Sequence, residues 1–296
     1  MRLLRRVSLA TWQVVHDTFR EWFEDNAPMY GAALAFYSIF SLAPLLVIAI
    51  GVAGLAFGRE AVQAEVLAQF ADLLGREGAR QVEIVLRNAA ESPSGIPATI
   101  LGVIALFVGA TAVFNQLKVA LNTIWNVPPS QAGVVRTFFV DRLLSFAMVQ
   151  CIGFLLLISL LVNAALAALS KSFERFVPEM AELLLATGFV FSLLVVTVLF
   201  AAIFKILPDA RIAWMDVWVG ALATALLFTL GKFLIGLYLG RSSVASVYGA
   251  AGSLVVLLLW VYYSAQVFLL GAEFTQVYAR RWGSRILPRH EAVAAK

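Results

Sequence analysis

Charged residues are scarce in this chain of 296 residues. Aspartate, glutamate, lysine and arginine make up 14% of it, whereas hydrophobic residues make up 61% and the mean hydropathy is +0.89. Ordinary soluble domains are about a quarter charged and about half apolar. A single core could not bury the excess apolar surface, and the composition also excludes a disordered chain. The sequence therefore predicts a membrane protein.

Cysteine and histidine are almost absent as well. The single cysteine, Cys151, excludes a disulfide-stapled module and a cysteine metal cluster. His16 and His290 lie near the termini, and the chain has no HxxxH, DxD, GxSxG, P-loop or GxGxxG motif. We therefore expect no catalytic residue, no metal and no cofactor, so the chain is predicted not to be an enzyme. The missing P-loop excludes a self-contained ATP-driven pump.

Six stretches are long and apolar enough to cross a bilayer as helices. A helix rises about 1.5 Å per residue, so about 20 apolar residues cover the hydrocarbon core. These stretches lack the alternating pattern of a membrane barrel. The sequence predicts an all-α polytopic membrane protein whose transmembrane domain, residues 31–272, has spans at 31–57, 96–117, 143–169, 183–204, 217–239 and 249–272.

Lysine and arginine are distributed unevenly around these spans. With the N-terminus inside, the cytoplasmic segments hold 14 of them and the opposite side holds seven. Because positive residues concentrate in cytoplasmic segments, both termini are predicted to be cytoplasmic. The net charge of +4 could suggest nucleic acid, but that function needs basic residues gathered on one soluble face. We expect membrane lipids as partners and no nucleic acid.

The cytoplasmic segment 1–30 has an amphipathic pattern. Trp12, Val15, Phe19 and Trp22 recur at helical spacing on one face, whereas polar residues occupy another. The pattern predicts a helix that either lies along the cytoplasmic interface or packs against the base of the bundle.

The segment 58–95, the longest one outside, also has helical periodicity. Apolar residues recur every four positions from Val62 to Leu74, and the pattern resumes at Val82 after the glycines of 75–78. The pattern predicts an external helical insert made of a short pair of amphipathic helices.

Polar side chains within or beside the spans are costly, so each raises a functional hypothesis. They are Thr111, Asn115, Lys118 and Asn122, which form one helical stripe, together with Gln150, Lys232 and Gln266. A shared cavity open to the cytoplasm would accommodate the amides. The alternatives are hydrogen bonds between helices that stabilise the bundle and, for the lysines, snorkelling to the interface. Lys232 has no acid at its depth within the spans, so it either snorkels or faces inward and attracts an anion.

Other residues within the spans or just after them have structural interpretations. Glu273 is predicted to pair with Lys118 or Lys205, because all three lie at cytoplasmic span ends. Pro44 is predicted to kink the first span, because proline lacks the backbone N–H that would bond a carbonyl in the preceding turn. The hydroxyl of Ser41, three residues earlier, could form a hydrogen bond in the region of that free carbonyl. In the basic cytoplasmic tail, residues 273–296, the predicted lipid-headgroup contacts are Arg280, Arg281, Arg285 and Arg289.

Three segments have distinctive sequences. They are AALAFYSIFSLAPLL at 32–46, LNTIWNVPP at 121–129, and the long stretch 205–272, which ends in SVYGAAGSLVVLLLWVYYSAQVFLLGA. These segments resemble the YihY/BrkB family of bacterial inner-membrane proteins, once labelled ribonuclease BN. The resemblance covers most of residues 20–280. It implies a six-helix protein of the bacterial inner membrane, but no catalytic residue that could be transferred to this chain.

The resemblance leaves several functions open, because members have been labelled ribonucleases, virulence factors or exporters of lipid precursors. A ribonuclease requires a cluster of acid, base or metal-binding groups, which this chain lacks. We therefore predict a transporter or flippase-like protein for a lipid or amphipathic anion. The alternative is a non-catalytic envelope scaffold or assembly partner. Pairs of small residues four apart permit a homo-oligomer.

Overall fold

The computed structural model describes residues 2–91, 96–128, 178–241, 252–284 and 286–288, together with residues 162, 166 and 169. The elements in these ranges are α1 (Arg2–Glu24), α2 (Ala27–Phe57), α3 (Arg59–Glu91), α4 (Ile96–Ile124), α5 (Pro178–Ile206), β1 (Ala210–Arg211), α6 (Trp214–Arg241), α7 (Gly252–Arg281) and β2 (Leu287–Pro288).

The described part of the chain is almost entirely helical. Lipid offers the backbone no hydrogen-bond partners, and a helix satisfies its amides internally. Long, apolar helices among the described residues include three whose length and composition suit a membrane crossing, at Ala186–Ile206, Trp214–Ile235 and Leu254–Arg281. The two short strands pair antiparallel, with Ala210 opposite Pro288 and Arg211 opposite Leu287.

Helices occupy five of the six predicted spans. These helices are α2, α4, α5, α6 and α7, and each also extends beyond the apolar stretch at one or both ends. The remaining predicted span, 143–169, lies outside the described residues apart from isolated positions. The count of six spans and their direction through the bilayer therefore stay predictions.

The prediction of two short helices within residues 58–95 is wrong. The structure has a single helix, α3, which continues through Gly75 and Gly78. A glycine inside a helix costs only about 1 kcal/mol. In this case Val82 and Leu86 are buried in one apolar core with Leu46 and Ile50 of α2. Val62 and Val66, which precede the glycines, pack against the same core, so tertiary packing on both sides stabilises one long helix.

The described residues group into two compact units. The first unit comprises Met1–Trp22, Leu121–Thr229 and Leu270–Lys296, and the second comprises Phe23–Ala120 and Leu230–Leu269. The core formed by α2, α3 and Leu257 of α7 belongs to the second unit.

In the first unit, α6 and α7 approach closely through reciprocal glycine–threonine contacts. A Cβ atom added at Gly220 would lie 1.9 Å from the Oγ1 of Thr275, and one added at Gly271 would lie 2.1 Å from the Oγ1 of Thr224. Each threonine hydroxyl donates to the carbonyl four residues earlier in its own helix, at 2.7 Å. The polar groups are therefore satisfied within each helix, and the glycines allow the two antiparallel helices to pack.

Candidate functional site

A polar segment of α7 lies in the second unit. Residues 259–267, which include Tyr262, Tyr263, Ser264 and Gln266, are all half-buried. The Nε2 of Gln266 donates to the carbonyl of Pro28 in α2 at 3.3 Å, and it lies over Gly31, where an added Cβ would be 2.0 Å away. The buried Oε1 of Gln266 accepts no hydrogen bond within the described part of the chain.

Lys232 of α6 belongs to the same unit and lies at the edge of the buried side of its helix. Its neighbours Leu230, Phe233 and Leu234 are exposed, whereas Lys232 is half-buried. The preceding residue, Gly231, is buried, and a Cβ added there would lie 2.6 Å from the hydroxyl oxygen of Tyr263. The backbone next to Lys232 therefore packs directly on the polar segment of α7.

The ammonium of Lys232 has no acidic partner within 4.0 Å among the residues described. A lysine in a membrane span is costly unless its charge reaches water or an anion. The polar segment of α7 offers tyrosine hydroxyls and an amide, which are neutral groups.

The polar stripe of α4 divides between two environments. Thr111 and Lys118 are half-buried and Asn115 is exposed, all in the second unit. Asn122 belongs to the first unit and is buried. Gln150 lies outside the described residues. A cavity shared by all the predicted polar residues therefore stays a prediction.

Asn122 joins two segments that are distant in sequence. Its Nδ2 donates to the Oδ2 of Asp209 at 3.1 Å, and its Oδ1 accepts from the backbone N–H of Asp209 at 2.9 Å. Three residues further on, the indole of Trp125 donates to the carbonyl of Ala272 at 3.3 Å. Both contacts hold the end of α4 in the first unit, as expected of an amide that stabilises the bundle.

The kink at Pro44 stays a prediction, and the hydrogen bond of Ser41 is the feature that the structure describes there. The helix α2 is continuous through Pro44, and the hydroxyl of Ser41 donates to the carbonyl of Ser38 at 3.0 Å. The carbonyl that a proline frees is the one four residues before it, at Phe40. Ser41 instead marks the crossing with α4, since a Cβ at Gly109 would lie 2.8 Å from the Cβ of Ser41.

Glu273 is completely buried in the first unit, on the part of α7 between Gly271 and Thr275. The described contacts of Lys205 lie elsewhere. Its ammonium donates to the carbonyl of Ile212 and lies 5.2 Å from the ring centre of Trp214. Lys205 thus holds the loop that leads into α6, and a pair between Glu273 and Lys118 stays a prediction.

Two of the four arginines predicted to contact headgroups bind α1. Arg280 donates to the buried carboxylate of Glu21, and Arg281 donates to the Oε1 of Gln13 at 2.8 Å and lies 3.6 Å from Asp17. These hydrogen bonds and ion pairs connect α1 to the last turn of α7. Arg285 and Arg289 lie outside the described residues, and the headgroup role stays a prediction.

Sequence reasoning missed the contacts that close the tail over the start of α6. The buried carboxylate of Asp216 accepts from the backbone N–H of Ser284 at 3.0 Å and from its hydroxyl at 2.8 Å. Gly283 lies so close that a Cβ would be 2.4 Å from the Oδ1 of Asp216. The available signals were the glycine before a serine in the tail and an acid in the first turn of a helix.

No group of three histidine, cysteine, aspartate or glutamate side chains that could hold a metal occurs within the ranges given above. The second unit instead contains the half-buried Lys232, whose neighbour Gly231 packs against the hydroxyl of Tyr263. Such a site can bind an anionic group by charge and hydrogen bonds.

Comparison with known proteins agrees with a membrane protein. Residues 18–296 match the family model described as "Virulence factor BrkB". Similar proteins include UPF0761 membrane proteins of Nitrosospira multiformis, 27% identical over 87% of this chain and 59% of the relative, and of Ralstonia nicotianae, 28% identical over 90% and 60%. A third, from Verminephrobacter eiseniae, is 29% identical over 92% and 64%.

The chain spans about three fifths of the length of the curated relatives it matches. No solved structure matches it. The family model covers nearly the whole sequence, including the three segments that resemble YihY/BrkB proteins. The chain therefore belongs to the BrkB family of membrane proteins.

Proposed function

We propose that this chain moves an anionic lipid or another amphipathic anion across the bacterial inner membrane, as a transporter or flippase-like protein. The observation that carries the proposal is the half-buried Lys232 in α6, directly after Gly231, which packs against Tyr263. The proposal includes six spans, both termini in the cytoplasm and no chemical step on the substrate.

A cation in a membrane span raises the free energy of the protein. An ammonium that leaves water loses hydration, and it is tolerated when an anion or water replaces that hydration. A phosphate or carboxylate headgroup would supply the opposite charge at Lys232.

The test is a flip assay in reconstituted vesicles with fluorescent anionic and zwitterionic lipids. Lys232→Met is expected to reduce movement of the anionic lipid about tenfold or more, because loss of a charged hydrogen bond costs roughly 1.5–3 kcal/mol. Lys232→Arg retains the charge and should retain most of the movement. Leu234→Ala, on the exposed side of the same helix, is the matched control and should behave like the unaltered protein.

Equal movement by the unaltered protein and Lys232→Met would remove Lys232 from the mechanism. Movement of no lipid and no small anion by the unaltered protein would contradict the transport proposal and favour the envelope scaffold. If the protein is an envelope scaffold, then the unaltered protein and Lys232→Met should bind another envelope protein equally well. Cleavage of added RNA by the purified protein would contradict the expectation that it is not an enzyme.

A further inference from the structure

The helix α1 has three distinct faces. Its first face is buried in the first unit and comprises Val14, Thr18 and Glu21. The hydroxyl of Thr18 donates to the carbonyl of Val14 at 2.8 Å, so this face presents no unsatisfied hydroxyl. Arg280 of α7 binds Glu21 at the edge of the same face. This first face attaches α1 to the protein.

The second face is apolar and exposed. Its residues are Trp12, Val15, Phe19 and Phe23, which recur at intervals of three and four and so form one stripe. Trp12 is 67% exposed and Phe23 is 66% exposed. The sequence pattern placed Trp22 in this stripe, but the structure half-buries Trp22 and continues the stripe with Phe23. We call these four residues the α1 stripe.

The third face is polar and points away from the α1 stripe. Gln13, Asp17 and Arg20 lie on it, and Gln13 and Asp17 contact Arg281 of α7. A helix that is anchored to protein on one side, apolar on the second and polar on the third has the arrangement expected at a membrane surface. In water, the exposed α1 stripe would be unfavourable by about 25 cal/mol for each Å² of apolar surface.

The attachment of α1 places it next to aromatic residues at the ends of α6 and α7. Trp214 and Trp218 at the start of α6 and Trp282 just after α7 are all exposed. They lie at the same end of the antiparallel pair, because Asp216 binds Ser284. Exposed tryptophans at helix ends are typical of the membrane–water interface. Arg281, which binds α1, directly precedes Trp282, so α1 is attached at the level of these tryptophans.

We propose that the α1 stripe is a lipid-docking surface, which inserts into the interfacial layer of the bilayer beside Trp214, Trp218 and Trp282. The occupant is the acyl chains and glycerol region of the lipids, while the polar face of α1 meets the headgroups and water. A protein partner is a poorer fit, since the α1 stripe is one row of four side chains and a stable protein interface uses about 20–30 residues a side. The proposal is independent of transport.

The experiment uses spin labels on the full chain reconstituted in lipid nanodiscs, with Cys151 replaced by serine. One label is placed at Phe19→Cys in the α1 stripe, and the matched control is Arg20→Cys, the next residue on the polar face. Collisions with oxygen, which concentrates in lipid, and with a water-soluble nickel chelate are measured at both positions. The label at 19 should lie about 5–10 Å below the headgroups, whereas the label at 20 should collide mainly with nickel.

Frequent nickel collisions at both positions would overturn the proposal, because the α1 stripe would then face water. Collisions with neither reagent at position 19 would also overturn it, because protein, including a second copy of the chain, would then cover the stripe. Trp12→Cys provides a second position in the α1 stripe should Phe19→Cys fail to fold. A thermal unfolding curve of each labelled protein shows that it is folded.

Discussion

Single side chains in the first unit connect segments that lie far apart in sequence. Asn122 and Asp209 are separated by 87 residues, yet two hydrogen bonds join them. Asn122 is buried, so its amide would lose hydration without a partner. The side chain therefore contributes to the stability of this unit.

Replacing Asn122 by alanine removes both hydrogen bonds. The carboxylate and the backbone N–H of Asp209 then each lose a hydrogen-bond partner. We expect Asn122→Ala to lower the free energy of unfolding by about 1–3 kcal/mol. The measurement is the thermal unfolding of the detergent-purified protein. Asn115→Ala is the matched control in the same helix, because Asn115 is exposed, and it should leave the unfolding temperature nearly unchanged. Similar curves for both variants would contradict the structural role of Asn122.

At the scale of the elements, α6 and α7 associate through close packing of glycine against threonine. The segments GALAT at 220–224 and GAEFT at 271–275 place a glycine of each helix opposite a threonine of the other. Membrane helices gain little from the hydrophobic effect between themselves, so close packing and hydrogen bonds provide their association. This pairing keeps the start of α6 against the end of α7.

A methyl group at position 220 should disturb this pairing. We expect Gly220→Ala to lower the stability of the protein by about 1–3 kcal/mol, because the added Cβ would overlap Thr275. The double variant Gly220→Ala with Thr275→Gly should recover part of the loss, and unfolding in detergent measures both. Leu222→Ala, at an exposed position of the same helix, serves as the control. If the double variant loses as much as the sum of the two single variants, then these residues do not interact.

The attachment of α1 is also a property of whole elements. Arg280 links α7 to Glu21, whereas Arg20 lies at 4.0 Å from the same carboxylate. We expect Arg280→Ala to increase amide hydrogen exchange throughout the described part of α1, because half-exposed ion pairs still contribute on the order of 1 kcal/mol when one partner is buried. Hydrogen exchange with mass spectrometry measures this change.

Arg20→Ala removes a weaker contact with the same acid and provides the comparison. It should leave the exchange of α1 close to that of the unaltered protein. Equal exchange in Arg280→Ala and the unaltered protein would show that apolar packing at Val14 alone holds α1.

At the scale of the whole molecule, the charge distribution predicts the direction of the chain through the membrane. Both termini are expected in the cytoplasm, with the start of α3 on the opposite side. An impermeant maleimide added to intact cells should label Glu60→Cys in a background with Cys151 replaced, because Glu60 is exposed. Tags at the termini should be reached only after permeabilisation. Labelling of the termini in intact cells would reverse the proposed direction.

Sequence reasoning succeeds where the signal is local. Hydropathy predicts the positions of α2, α4, α5, α6 and α7, because each span must satisfy its own backbone in lipid. It does not predict their ends, since α4 continues seven residues beyond 117 and α7 nine residues beyond 272. It failed at α3, where packing against Leu46 and Ile50 overrides two glycines. Sequence reasoning could not decide whether the amide of Asn122 bonds another helix or lines a cavity. The residues around Asn122 do not indicate that its partner is Asp209, 87 residues away.

The sequence by itself determined that this is a helical membrane protein of the BrkB family, because composition and apolar length are properties of the chain alone. Only the tertiary structure decided which sides of these helices meet. It assigned Arg280 to Glu21, Gln266 to Pro28 and the outer face of α1 to an apolar stripe. The physical reason is that helical periodicity fixes which residues share a face, whereas the partner of that face depends on packing between distant segments.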